Sequence, residues 1–134
     1  MMMNADFLHQ IRELLPGEAD DLLEALARPP ETSVRLNMRK FKGSEPKGLA
    51  QVPWCPQGYY LPERPAFTFD PILHAGAYYV QDASSMFIAH AIRHLLQSDD
   101  PVCYLDLCAA PGGKSTAAID ALPEGSLIVS NEID

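Results

Sequence analysis

The chain has 134 residues, of which 47% are hydrophobic and 21% charged, with a formal net charge of −8. That apolar share supports a folded core and excludes intrinsic disorder, and the length suits one domain or two small subdomains. No apolar run has the length of a membrane span, and the start, Met1-Met2-Met3-Asn4-Ala5-Asp6, lacks the basic and apolar regions of a secretory signal. The three cysteines, Cys55, Cys103 and Cys108, form no C-x-x-C pair. A disulfide framework, a zinc site and a membrane partner are therefore not expected, and a reducing cytoplasm is.

Phe7, Ile11, Leu14 and Leu15 recur at helical spacing after a capping Asp6, which predicts a short amphipathic helix ended by Pro16-Gly17. A second helix follows, with Ala19, Leu22, Leu23, Leu26 and Ala27 on one face and Pro29-Pro30 as its stop. Both read as packing helices. Val34, Leu36 and Met38 then alternate with Arg35, Asn37 and Arg39, the pattern of a half-buried strand with a basic outer face.

Charge is unevenly placed. Residues 1–34 carry 2 basic and 7 acidic groups (net −5), residues 35–50 carry 5 and 1 (net +4), and residues 51–134 carry 3 and 10 (net −7). The basic groups thus gather at Arg35, Arg39, Lys40, Lys42 and Lys47. Such a strip reads equally as a solvated strand edge or as a set of RNA phosphate contacts, for which Arg35, Arg39, Lys40 and Lys42 are the candidates.

Phe41 to Gln51 is turn-rich and is expected to loop. One short strand is expected at Tyr59-Tyr60-Leu61, with Trp54 in the core. Asp70-Pro71 opens a helical turn that runs through His74 and stops at Gly76, and Tyr78 to Val80 is extended. Asp82 or Ser84 caps a helix reaching about Gln97, with Phe87, Ile88, Ala91, Ile92 and Leu95 inward. His90 and His94 on that helix have metal-compatible spacing, but no acid or cysteine completes a ligand set, so surface histidines are expected.

The stretch that organises the chain is Val102 to Ser115, V-C-Y-L-D-L-C-A-A-P-G-G-K-S. Apolar residues predict a buried parallel strand, in which Cys103 would be an inert small hydrophobe. A small-residue loop follows, then a helix starting near Lys114. Strand, glycine loop and helix is a geometry for holding a nucleotide-like cofactor, because Gly112 and Gly113 let backbone approach a ligand and the helix start is electropositive. Gly113-Lys114-Ser115 completes the end of a P-loop, but the glycine that pattern requires at its start is Cys108 here. After the loop helix, Leu127 to Ser130 predicts a second strand that delivers Glu132 at its carboxyl end, where an acid can bond both hydroxyls of a ribose. An adenosyl ligand without phosphate fits this arrangement better than ATP, with a P-loop-like phosphate binder as the competing class.

The run Asp106-Leu107-Cys108-Ala109-Ala110-Pro111-Gly112-Gly113-Lys114-Ser115 closely resembles the S-adenosylmethionine motif of the Sun (Fmu) family of RNA 5-methylcytosine methyltransferases. Trp54 to Gly58 and Tyr79 to Ser85 resemble two further blocks of that family in order and spacing, so that the likeness covers the chain from about Thr32 onward. The resemblance implies an α/β chain in which residues 1–75 form a small α+β subdomain that helps grip RNA, and residues 76–134 begin a Rossmann-like methyltransferase domain with an incomplete parallel sheet. It implies S-adenosylmethionine as cofactor and rRNA or tRNA as substrate. The cofactor would be held by Cys108, Ala109, Ala110, Pro111, Gly112, Gly113 and Lys114, with Glu132 on the ribose and Asp106 orienting the loop; Gln81, Asp82 and Ser84 would stand behind them. The family's catalytic cysteine block has no counterpart among these residues, so no catalytic residue is expected in this chain. Binding of RNA without catalysis is the other alternative. Two parallel strands leave open edges and an unsupported apolar face, so the chain by itself is expected to be inactive and to self-associate.

Overall fold

The computed structural model describes residues 3–44 and 46–133. The chain divides into two compact units, residues 1–30 and residues 31–134.

The first unit holds helices α1 (Ala5–Leu14) and α2 (Ala19–Ala27). Asn4 caps α1, its side chain accepting from the Asp6 N–H at 2.7 Å. Asp6 itself lies in the first turn, where its charge complements the helix dipole. Ala19, at the start of α2, is buried.

The second unit starts with a four-stranded antiparallel sheet of β1 (Thr32–Leu36), β2 (Gln51–Val52), β3 (Cys55–Leu61) and β4 (Tyr78–Val80), in the order β2-β3-β1-β4. The central place of β1 overturns the half-buried reading. Val34 and Leu36 pack with Tyr59 on one face, and Ser33 and Arg35 are buried on the other. The strand also ends earlier than its alternation predicts. Asn37 turns the chain, its carbonyl accepting from the Lys40 and Phe41 N–H groups and its side chain from Arg39 N–H, and Met38 is left exposed.

β2 starts at Gln51, the last residue of the stretch expected to loop, and β3 begins at Cys55, well before Tyr59. Pro56 and Gly58 hide the strand from a propensity reading. Gly58 is there for space: a Cβ at that position would come within 2.7 Å of the Met86 sulfur and 3.0 Å of the Val52 Cβ.

A 3-10 turn (Phe67–Phe69) and helix α3 (Pro71–His74) connect β3 to β4. Asp70 caps α3 as the Asp-Pro pair predicts, accepting from the Ile72 N–H at 2.8 Å. Helix α4 (Ala83–Leu95) then buries Met86, Ala89 and Ile92. Its inward face is thus rotated from the expected one, and Phe87 and Leu95 are exposed. Met86 fills a cluster with Val52 and Cys55, flanked by Trp54, which is part-buried as expected for a core residue. Ile92 packs on Ala118 and Leu122.

β5 (Cys103–Asp106), helix α5 (Gly113–Ala121) and β6 (Leu127–Ser130) complete the unit. The two strands are parallel, Cys103 opposite Leu127 and Asp106 opposite Ser130. Val102, Tyr104 and Ile128 pack on the cluster of Ile92, Ala118 and Leu122. Leu105, Leu107, Leu127 and Val129 are more than half exposed. Cys103 alternates with Tyr104 and is exposed, not buried, because the described residues cover one face of this pair, the Tyr104 face.

Candidate functional site

The loop from β5 to α5 is built around Asp106. One carboxylate oxygen accepts from the Cys108 N–H at 3.1 Å, and the other accepts from the buried Ser115 hydroxyl at 2.6 Å. The strand end and the first turn of α5 are thereby tied across nine residues. Gly112 takes φ +97° at the helix N-cap, a left-handed conformation that favours glycine.

The end of β6 holds the loop from its other side. Ala109 N–H donates to the Asn131 carbonyl at 3.0 Å, and Asn131 N–H donates to the Asp106 carbonyl at 2.7 Å. The Asn131 amide donates to the Leu107 carbonyl at 3.2 Å. Glu132 accepts from the Ala110 N–H at 2.9 Å with one carboxylate oxygen and from the Ile133 N–H at 2.8 Å with the other. The Ile133 and Ala110 donors hold its carboxyl below the usual carboxylate range. Gly112 N–H donates to the Ala109 carbonyl at 2.7 Å. The N–H groups of Cys108, Ala109, Ala110 and Gly112 are therefore all engaged within the site, and Pro111 has none to offer. A phosphate cradle needs such groups converging on a ligand, and these four do not offer one; the donors left for a ligand are those at the start of α5.

The antiparallel sheet supplies the third wall. Tyr79 OH donates to the Pro111 carbonyl at 2.9 Å, and the Gln81 amide donates to the Gly113 carbonyl at 3.0 Å. Arg35 is only 3% exposed. It donates to the Gln81 side-chain oxygen at 3.0 Å and to the Thr116 hydroxyl at 2.7 Å, and it is ion-paired with Asp120. Burial pushes the Arg35 guanidinium down from its ordinary pKa, yet an arginine side chain keeps its charge in proteins, which makes the Asp120 counter-charge necessary. Arg35 thus leaves the basic strip, while Arg39, Lys40 and Lys42 are exposed. Periodicity placed Arg35 opposite Val34 and Leu36 but could not name its partners. The roles of Asn131, Thr116 and Asp120 carried no sequence signal beyond their place in a polar helix face or strand end.

A cavity of about 320 Å³ runs between this sheet and the loop. Cys108 to Pro111, Gly113 and Lys114 line one side, and Ser33, residues 79–82 and Ser85 the other, with Glu31 and Arg64 also in its wall. Glu132 is exposed beside the loop and does not line this cavity. Of the residues expected behind the loop, Gln81 and Asp82 line the cavity and Ser84 is exposed outside it. Arg39 and Lys40 line a second cavity, of about 400 Å³, with Tyr78, Tyr79 and Ile119. Among the described residues, no group of three or more metal-ligating side chains gathers, and no helix is long and apolar enough to cross a membrane.

A parallel strand-loop-helix-strand unit with a carboxylate at each strand end, beside an antiparallel sheet, is the start of a Rossmann-like methyltransferase fold. A solved methyltransferase homologue from Pyrococcus horikoshii is 26% identical and superimposes with a TM-score of 0.73 over 98% of this chain and 45% of its own. The structure of PH0851, 21% identical, shares the fold with a TM-score of 0.78 over 96% of this chain and 30% of its own. The family model for the N-terminal domain of 16S rRNA methyltransferase RsmF matches residues 3–83, and the chain belongs to that family. Curated relatives named ribosomal RNA small subunit methyltransferase F are similar over nearly all of it. The protein of Pectobacterium atrosepticum is 34% identical over 96% of this chain and 29% of its own length, and that of Shewanella oneidensis 31% identical over 98% and 30%. The chain therefore spans about a third of the length of these relatives.

Proposed function

We propose that this chain is the amino-terminal part of an S-adenosylmethionine-dependent methyltransferase that modifies carbon 5 of a cytosine in ribosomal RNA, and that its 108–114 loop holds the cofactor. The observation that carries this reading is the pair of strand-end carboxylates, Asp106 and Glu132, bracketing a small-residue loop. Glu132 accepts one backbone N–H on each oxygen, and a carboxylate oxygen has a second acceptor position free for a hydroxyl. A ribose diol fits that capacity, and a carboxylate in that place repels a phosphate. Lys114 and Arg64 face the same cavity as Glu31 and Asp82, a mixture suited to the zwitterionic amino-acid end of the cofactor.

When bound, S-adenosylmethionine supplies an electrophilic methyl group. The chain's own residues bind and orient. Asp106 sets the loop through Cys108 and Ser115, Gly112 and Gly113 turn it into α5, and Glu132 takes the sugar. Cys108 is a loop residue in this reading and not the thiolate that adds to the base. Arg39, Lys40 and Lys42 supply cations for RNA phosphates, on an amino-terminal part we place at residues 1–75, with the methyltransferase domain starting at about residue 76. A cytoplasmic setting suits a ribosomal RNA substrate.

Calorimetry with S-adenosylhomocysteine and with ATP tests the assignment. S-adenosylhomocysteine should bind and ATP should not. Glu132→Ala should weaken S-adenosylhomocysteine by about 10- to 100-fold, the loss of one or two hydrogen bonds to a charged acceptor. Unchanged affinity in that variant, or preference for ATP, would sink the assignment.

A further inference from the structure

Three consecutive loop carbonyls are held by side chains, two of them from the antiparallel sheet and one from α5. Tyr79 OH reaches the Pro111 carbonyl and the Gln81 amide reaches that of Gly113. The Gly112 carbonyl accepts from the Thr116 hydroxyl at 2.7 Å, and that hydroxyl in turn accepts from Arg35. Tyr79 and Gln81 are two residues apart at the end of β4, and Arg35 is the registered partner of Tyr79 on β1. One strip of sheet therefore grips the end of the loop at residues 111 and 113, and Arg35 supports the Thr116 hydroxyl that holds residue 112.

Arg35 also decides how Gln81 grips. A glutamine amide has one accepting and one donating end, and a guanidinium can only donate. The bond from Arg35 to the Gln81 oxygen leaves the NH2 end to face the Gly113 carbonyl. The backbone of Gln81 is fixed as well, its carbonyl accepting from Ser33 Oγ at 2.6 Å and its N–H donating to the Ser33 carbonyl at 3.1 Å. Asp120 neutralises Arg35, so Arg35 and Gln81 are buried without an orphaned charge.

We infer that Arg35 and Gln81 are positioning residues: through their shared hydrogen bond they set the geometry of loop 111–113, and with it the affinity of the cofactor site. The inference about affinity rests on the reading of that loop given above; the inference about loop geometry does not.

Gln81→Glu separates positioning from mere packing. A glutamate keeps an acceptor for Arg35 and removes the donor to Gly113. The expected result is about tenfold faster amide exchange at Gly112 and Thr116, with the Tyr60 amide of β3 unchanged, and about tenfold weaker S-adenosylhomocysteine binding, each the size of one lost hydrogen bond. Tyr79→Phe removes only the grip on Pro111 and should give a smaller change of the same kind, which keeps the test open if the first variant folds poorly. Loop exchange that stays at the parent rate in both variants would overturn the positioning role. A parent chain that does not take S-adenosylhomocysteine would refute the adenosyl reading, while the exchange rates still decide the clamp.

Discussion

Arg35 on β1 and Asp120 near the end of α5, 85 residues apart in sequence, form a buried ion pair that joins the antiparallel sheet to the loop helix. Removing one partner strands the other's charge in a site with little water. Asp120→Ala should therefore cost about 3–5 kcal/mol of folding stability. Arg35→Met combined with Asp120→Leu should cost less than the sum of the two single changes, since an apolar pair leaves no uncompensated charge. Urea denaturation of the four proteins measures the coupling, and strictly additive effects would show that the pair contributes no specific interaction.

Tyr78 and Asp70 give the fold a defined response to pH. Tyr78 OH donates to an Asp70 oxygen at 2.5 Å. Burial first, and then the Asp70 carboxylate, raises the Tyr78 pKa to about 12, and the bonds from Tyr78 and the Ile72 N–H lower that of Asp70. Tyr78 in the folded state thus holds its proton more tightly than in the unfolded one. Its contribution is present in full below the ordinary tyrosine pKa of about 10 and is lost as pH rises through the raised value. The Asp70 contribution has the opposite sense: present above the ordinary carboxylate pKa, lost as pH falls through the lowered one. Tyr78→Phe should flatten the alkaline limb of a stability-against-pH curve. Absorbance of the tyrosinate should show a late step that this variant removes; the absence of such a step in the parent chain would contradict the hydrogen bond.

The exposed side of the parallel pair is a hydrophobic face. Leu105 and Leu127 are each 58% exposed, and Val129 is 51% exposed. Registered neighbours of this kind form a contiguous apolar patch beside open strand edges, which favours association. Sedimentation of the 134-residue chain should show concentration-dependent self-association, and Leu105→Lys with Leu127→Glu should reduce it several-fold. A monomer at all concentrations would mean that the face is covered in solution.

Arg39, Lys40 and Lys42 remain as the cations available for RNA once Arg35 is committed inside. Three neutralised phosphates on a single strand correspond to a slope of about −2 for log K against log salt. Filter binding to a ribosomal RNA fragment over a range of salt should give that slope, and Arg39→Glu with Lys42→Glu should flatten it to about −0.7 or less steep, the share of Lys40 alone. Arg35→Met should leave the slope unchanged in any protein that stays folded. A slope unaffected by the double reversal would make the strip a solvated edge.

Much of the site was legible because its contacts are short-range. Asp106 reaches Cys108 two residues on and Ser115 nine residues on, within one strand-loop-helix run. The Asp70-Pro71 cap and the glycine turn at Gly112 are likewise matters of local backbone, so residue type alone announces them. The family resemblance rested on that run together with two further local blocks, Trp54 to Gly58 and Tyr79 to Ser85.

What the tertiary structure alone decided is which faces are covered. Alternation in β1 separates Arg35 from Val34 and Leu36, but only a neighbour on each side, with Asp120 behind, makes both faces interior. The face of α4 that turns inward depends on Val52, Cys55, Ala118 and Leu122, all remote in sequence, and so Met86 is buried where Phe87 was expected. Cys103 belongs to an apolar strand and is nonetheless exposed, because among the described residues the pair of strands has helices packed on one face and none on the other. Periodicity reports which side chains share a face. Which face meets protein and which meets water is set by long-range packing, which no local pattern encodes.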